Sequence, residues 1–417
     1  MRNSRKKSRK KSRAQQSGKS IERRHRTWVE VDYRAIERNA RGLKKLLAEG
    51  AAMMAVVKSN AYGHGMVASA LAALRGGATW LAVDEIAEAL ELREAGIKAP
   101  ILVLGYTLPP LYETAAKKRI SITVSSLEAL QRLAAMRLPK AGKAGKNDAK
   151  KRGDKGALRI HLKFDTGLHR QGISESHVQQ AARIVSADDF PAVVEGAFTH
   201  FAVMEDPMKQ EYSKKQSRLF KEAVDKLLAK GVAPITHAGA TSAILFSKDF
   251  HFDMTRAGIG LYGLWPSPEM RRWAGDSVVL EPALSWKTIL TEIKLVSKGA
   301  RVGYDLTHEM GRDSRIAVVP VGYWHGLPRT RLSGTNGRPG GHMLIRGKRA
   351  PIVGRISMDM TIVDVTDIPS ARPGDEVVII GTQDKESIRA EEVAEKDGTI
   401  NYEIVTRINP FVPRVSA

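Results

Sequence analysis

The sequence predicts an α/β protein: a (β/α)8 TIM-type barrel followed by a mostly β C-terminal domain. Three observations predict it. Short apolar runs alternate about eight times with amphipathic helical stretches between residues 27 and 262. Chemically active side chains recur where those runs end, which is where a parallel barrel keeps its site. From about residue 278 the helical periodicity fades and short strands dominate.

The elements follow in order. "TWVEVDYRAIERNARGLKKLL" reads as an alternating strand, then a helix with Asp32 as its N-cap. "AAMMAVVK" and "WLAVD" are strands, followed by the helices "MVASALAALRGGA" and "EIAEALELREAGI", both closed by glycine. "PILVLG" and "ISITVS" repeat the pattern with "PPLYETAAKKR" and "SLEALQRLAAMRL". "LRIHLKFDTG", "VVEGAFTHFA", "PITHAGA" and "MTRAGIGLYG" complete the strands, with helices between them. Beyond lie "PALSWKTILTEIKLVSKG", "SRIAVVPVGY", "HMLIRGKRAPIVGR", "MTIVDVTD" and "DEVVIIG", with one helical pattern, "RAEEVAEKDG". The expected organisation is a basic disordered tail over 1–26, a barrel over 27–270 and a β domain over 271–417. The first strand, 27–32, is a candidate to pack with the C-terminal domain.

The net charge of +22 is concentrated in two places. Residues 1–26 hold twelve Lys/Arg and one acid; residues 137–159 hold nine Lys/Arg and two acids. Together they carry 18 of the 22 charges, and the rest resembles an ordinary soluble enzyme. Both basic runs are poor in large apolar residues, so burial cannot offset the entropy of ordering them. The tail reads as solvated, with adhesion to RNA or anionic lipid as the weaker alternative. The 137–159 run reads as a loop insert. There is no cysteine, which removes disulfides, thiolate catalysis and Cys-ligated zinc. No run of eighteen apolar residues is present, and the basic start lacks the apolar segment of a secretory signal. The expected compartment is the cytoplasm, and no metal site is expected.

At the strand ends stand Lys58, Lys163, Asp165, Arg170, His200, His237, Thr241, Arg256, Gly258 and Ile259. A lysine ending a buried strand is ordinarily a snorkelling or ion-paired group. It becomes a Schiff-base nucleophile when desolvated or set beside other cations. "RAGIGLYG" adds backbone N–H groups with little steric cover, a candidate phosphate cradle.

"AVVKSNAYGHG" closely resembles the cofactor-attachment segment of the alanine racemases, fold-type III pyridoxal-phosphate enzymes. "HLKFDTGLHRQG", "THFAVMED", "MTRAGIGLYG", "VGYDLTH", "VGRISMDM" and "INYE" resemble further family segments in the family's order. The resemblance spans roughly 27–415. It implies pyridoxal 5'-phosphate held covalently by Lys58, and a head-to-tail homodimer with shared sites. It implies interconversion of L- and D-alanine by a two-base mechanism, supplying D-alanine for peptidoglycan.

Lys58 would serve one face of the substrate, and Tyr304 from the partner's β domain the other. A phenol ordinarily titrates near ~10 and needs cationic help to act as a base; the resemblance sets Tyr304 toward His200 and His200 toward Arg256. It also sets Arg256 on the pyridine nitrogen. Phosphate contacts fall on Tyr62, Thr241, Gly258, Ile259 and Tyr402. Arg170 meets the substrate carboxylate, supported by a carbamylated Lys163, for which an ordinary Lys163–Asp165 pair is the alternative. Met358 offers its backbone N–H to the substrate.

The chain departs from the pattern in three places. Ala240-Thr241 replaces an Asn-Ser pair, with Ser242 as a rival for the phosphate hydroxyl. Ser357 replaces a common cysteine. Pro410 and Phe411 stand where a tyrosine near the substrate entrance is usual. The alternatives are a racemase of broader or different specificity, such as serine, and a non-catalytic pyridoxal-phosphate-binding protein. The barrel decarboxylases share the layout but carry a catalytic cysteine that this chain lacks.

Overall fold

In the computed structural model, eight parallel strands close into a barrel. The structure describes residues 25–138, 156–330, 333–334 and 340–417. Most of the expected basic tail and of the 137–159 insert lies outside the described residues. The chain divides into two compact units, residues 33–283 and residues 1–32 with 284–417.

The barrel strands are β2 (Ala52–Val56), β3 (Trp80–Val83), β4 (Ile101–Tyr106), β5 (Ile120–Val124), β6 (Leu158–Lys163), β7 (Ala192–Phe198), β8 (Ile235–His237) and β9 (Met254–Ala257). Each pairs in parallel with the next, and β9 pairs with β2 to close the ring. The apolar runs are continuous because these strands are buried on both faces. Met54, Val56, Ala82, Leu102 and Met254 form one buried cluster in this unit. Each fully buried side chain of Val or Leu size stabilises by roughly 1.5–3 kcal/mol, so the closed barrel is a stiff frame for whatever its strand ends carry. The last helix of this unit, Pro268–Ala274, is capped by the Ser267 hydroxyl on the Met270 N–H at 3.0 Å. The segment 271–283 clusters with the barrel unit.

The second unit is built on a seven-stranded sheet. The first strand of the chain, β1 (Thr27–Val31), lies inside that sheet. It pairs antiparallel with β10 (Leu284–Ile289) and parallel with Arg414–Ser416. Beyond β10 come Glu376–Gln383, His342–Ile345 and Lys348–Pro351. A three-stranded sheet (Glu292–Val296, Ser314–Val319, Thr361–Asp364) packs around Val302, Met310, Ile316 and Val353. Among the elements that go beyond the sequence pattern are the helix Asn401–Thr406 and the closing strand Arg414–Ser416. Both are too short to leave a periodic signature.

Candidate active site

Lys58 follows β2 at the carboxyl end of the barrel, and its Nζ donates to Asp84 Oδ1 at 2.9 Å. Asp84 itself follows β3. The chain then makes an unusual turn. Ser59, Asn60, Ala61 and Tyr62 all take φ of 53–55°, in the left-handed region. For L-residues this conformation is unfavourable by roughly 1–2 kcal/mol each, so the turn persists only because its surroundings hold it.

Specific bonds do so. Glu88 accepts the Ser59 N–H at 2.6 Å on one oxygen and the Asp84 N–H at 2.9 Å on the other. The Asn60 side chain accepts the Met66 N–H at 2.9 Å, and the Asn60 carbonyl accepts the Gly65 N–H at 3.0 Å. The glycines Gly63 and Gly65 thus extend a bend that non-glycine residues begin.

The turn brings Tyr62 against "RAGIGLYG". Its ring lies 5.0 Å from that of Tyr262, and a Cβ added to Gly258 would meet the Tyr62 hydroxyl at 3.1 Å. Burial, aided by Asp84, pushes the Tyr62 phenol up to about 12. It therefore stays a neutral donor at ordinary pH. Thr241 Oγ1 accepts the Gly258 N–H at 3.0 Å and the Gly260 N–H at 3.3 Å. Thr241, rather than Ser242, has its hydroxyl on the glycine segment, and Ile259 follows, buried, at the start of a 3-10 turn.

Arg256 on β9 is 4% exposed, yet among the described residues no carboxylate pairs with it. Its Nη1 donates to His237 Nδ1 at 2.7 Å. Its Nη2 reaches the carbonyls of Thr199 (2.8 Å) and Ala238 (2.6 Å) and His200 Nδ1 (3.1 Å). The ring of Phe198 lies under the guanidinium at 5.3 Å. Nε–H makes no hydrogen bond among the described residues. Burial, then Arg170, pushes the guanidinium down to about 9, so it remains a cation at neutral pH.

The tautomer of His200 follows from its partner. An arginine only donates, so Nδ1 accepts and Nε2 carries the proton. Burial first, then Arg256, Arg170, Lys163 and Lys58, holds this imidazole well below 6.5, and His200 is neutral.

Lys163 ends β6 and is buried. Its Nζ donates to Gln171 Oε1 at 3.0 Å, and Gln171 is held by Ser125 at 3.0 Å. Asp165 spends its carboxylate on the Gly167 and His169 N–H groups (2.9 and 3.0 Å). Burial, then Arg170, Arg256 and Lys58, pushes the Lys163 amine down to about 8. Arg170 is exposed in the segment after β6 and acts on this group through its charge.

The barrel unit therefore gathers Lys58, Tyr62, Lys163, His200, Thr241, Arg256, Gly258 and Ile259 at one face, with Arg170 in electrostatic reach. In the β unit, Tyr304 and Met358 border one hollow with Gly303, Ser357, Asp359 and Met360. Tyr304 is 66% exposed, and its turn carries an Asp305–Arg355 ion pair. Tyr402 sits half-buried on the helix Asn401–Thr406, outside the residues bordering that hollow. Asp84, Glu88 and Gln171 emerge only from the structure. Asp84 had a readable signal, as the carboxylate closing "WLAVD"; Glu88 and Gln171 had none.

The donor set fits pyridoxal phosphate. The primary amine suits an aldehyde, and the phenol, hydroxyl and bare glycine backbone suit a phosphate. An uncommitted donor on a buried cation suits a ring nitrogen.

Comparison with known proteins agrees. Residues 31–266 match the family model of the alanine racemase N-terminal domain, and 283–416 that of the C-terminal domain. The alanine racemase of Symbiobacterium thermophilum is 39% identical over 389 residues, covering 93% of this chain and 96% of that protein. That of Methanococcus maripaludis is 37% identical, covering 94% and 98%. The crystal structure of alanine racemase from Bacillus anthracis with bound L-Ala-P superposes with a TM-score of 0.83 at 38% identity, covering 94% of this chain and 95% of the other. With its two domains matched in order and its strand-end chemistry in place, the chain belongs to the alanine racemase family.

Proposed function

We propose that this chain interconverts L- and D-alanine as a pyridoxal-phosphate-dependent, cytoplasmic homodimer, and so supplies D-alanine for peptidoglycan. The observation that carries the reading is the buried Arg256, a cation bonded among the described residues to carbonyls and imidazoles, on the same barrel face as the Lys58 amine. Bound there, pyridoxal phosphate supplies an electron sink that makes the Cα–H of an amino acid acidic.

The chain's own groups do the rest. Lys58 anchors the cofactor through its amine, and Tyr62, Thr241, Gly258, Ile259 and Tyr402 hold the phosphate. Arg256 gives a hydrogen bond to the ring nitrogen without delivering a proton, because its guanidinium stays charged. Racemisation requires a proton to leave one face of Cα and arrive on the other. Lys58 Nζ works on one face, oriented by Asp84. Tyr304, supplied by a second copy of the chain, works on the other. His200 carries its proton on Nε2 and donates it toward the Tyr304 oxygen.

Arg170 pairs with the substrate carboxylate, and Met358 adds its backbone N–H. An amine near 8 is free in part at neutral pH, the form that reacts with carbon dioxide, which supports a carbamylated Lys163. A wider substrate range is the second reading. Phe411 stacks on Trp324 at 6.4 Å where the family pattern has a tyrosine.

The test is a chiral assay of purified holoenzyme on L-alanine, L-serine and larger amino acids. Alanine turning over fastest supports the reading, and a cofactor-loaded protein that leaves alanine untouched ends it. Mixing Lys58→Ala with Tyr304→Phe tests the shared site. Hybrid dimers rebuild one intact site, so about a quarter of wild-type activity returns on random re-pairing. No recovery after verified exchange overturns the shared site.

A further inference from the structure

His64 is fully buried within the stretch "AVVKSNAYGHG" and has no part in the chemistry assigned above. Its place is set by the left-handed turn just before it. A helical turn of either hand leaves its last carbonyls without intrahelical donors. Here the backbone serves the earlier ones. The Ser59, Asn60 and Ala61 carbonyls accept the N–H groups of Gly63 (3.1 Å), Gly65 (3.0 Å) and His64 (3.0 Å). The Tyr62 carbonyl is met by a side chain. His64 Nδ1 lies 2.9 Å from it and 3.1 Å from the Ala61 carbonyl. A carbonyl only accepts, so Nδ1 carries the proton and shares it between the two. The imidazole does at the end of this turn what a basic side chain does at the end of an ordinary helix.

The bond falls on the residue whose direction matters most. The Tyr62 carbonyl and the Tyr62 side chain leave the same Cα. With φ at 53°, holding the carbonyl sets the second soft dihedral as well, and so where Cβ points. From there the phenol reaches the bare face of Gly258, its hydroxyl 3.1 Å from where a Cβ would stand.

The ring packing agrees. His64 stacks on Tyr262 at 4.5 Å and 29°, and Tyr62 rests on the same ring at 5.0 Å. Tyr262 belongs to the glycine segment and is fully buried. Its hydroxyl donates to the Val56 carbonyl at 2.8 Å, two residues before Lys58. One ring therefore joins the lysine strand to the glycine segment, and His64 bonds the left-handed turn while it packs on that ring.

We propose that His64 is a positioning residue for the cofactor phosphate: it caps the left-handed turn and so holds the Tyr62 hydroxyl over the glycine segment. The effect on the phosphate rests on Tyr62 serving as its ligand; the cap does not. The two are therefore measured separately.

On holoenzyme labelled with 15N-histidine, His64 should show an Nδ1-protonated ring; a bare Nδ1 overturns the proposal. The hold on the cofactor is read by titrating the full chain with pyridoxal phosphate and with pyridoxal, which lacks the phosphate. His64→Phe keeps a ring against Tyr262 but loses the donor. Its dissociation constant for pyridoxal phosphate should rise about fivefold to tenfold, as for one lost hydrogen bond, and that for pyridoxal should not change. An equal loss for both ligands, or none, would sink the proposal. His64→Asn sets Nδ2 where Nδ1 stood and should bind both ligands like the wild type. A loss there as large as in His64→Phe removes the donor's role. Should His64→Phe not fold, the wild-type tautomer and the behaviour of His64→Asn still decide. In a Tyr62→Phe background, His64→Phe should add no further loss; a further loss means that His64 does not act through Tyr62. If Tyr62→Phe alone binds pyridoxal phosphate as tightly as the wild type, the link to the phosphate fails, and the tautomer still decides the cap.

Discussion

The two compact units treat their chemistry in opposite ways. In the barrel unit Arg256 is 4% exposed and committed to two carbonyls and two imidazoles. In the β unit Tyr304 is 66% and Met358 53% exposed. One unit has its active groups locked by the fold that makes them. The other displays its groups on an open hollow, where folding asks little of them. Function and stability should therefore be entangled in the barrel and separable in the β unit.

The largest effect expected is for Lys58→Ala. Loss of the amine should lower kcat/KM by more than about 10⁴-fold, and borohydride should no longer fix the cofactor to the chain. Next comes Tyr304→Phe. Kcat should fall by about 10²- to 10⁴-fold, the cofactor should remain bound, and α-deuterium should still wash out of one alanine enantiomer. Washout from both, or from neither, would break the assignment of one base to each face.

A stability comparison then sharpens the contrast. Arg256→Met leaves the Thr199 and Ala238 carbonyls and His237 without their donor, at about 1–3 kcal/mol for each buried group. Denaturant titration should show a loss of about 3 kcal/mol or more. Tyr304→Ala should stay within about 0.5 kcal/mol of wild type. Similar losses in both would erase the distinction between the units.

The smallest effect is in pH. His200 and His237 are neutral in the folded chain, held well below 6.5. Once unfolded they take protons below that value, so the unfolded state binds more protons and stability falls on acidification. The slope contribution is up to about 1.4 kcal/mol per pH unit for each histidine. Replacing His237 by Asn should flatten the pH dependence of unfolding below 6.5.

Much of this was legible in the sequence. The barrel strands were readable because each buried run ends on a polar residue, and Lys58, Arg256 and Thr241 were placed by that rule. Register was not. That His161 faces Gly196 across β6 and β7 depends on an irregularity between Ile160 and His161, which no single strand records. The left-handed turn from Ser59 to Tyr62 was hidden for another reason. Only Asn60 there tolerates positive φ readily, and bonds holding the turn come from Glu88, on the Ser59 N–H, and from Met66, whose N–H donates to the Asn60 side chain. Likewise, pairing Lys163 with Gln171 instead of Asp165 needs the loop amides that occupy Asp165, and these appear only once the loop is folded.

The place of β1 bears on how the molecule is made. Thr27–Val31 leaves the ribosome well before its sheet partners, β10 and Arg414–Ser416. At about 5–20 residues per second, the nascent strand waits on the order of ten to fifty seconds for the first of them. During that interval the whole of residues 33–283 is synthesised and can close. Trp28, Val29 and Val31, all buried at the end, meanwhile form an unpaired sticky edge. The demand on chaperones should accordingly centre on this strand, and a ribosome-bound chain halted before residue 284 should expose it to proteolysis next to an already protected barrel.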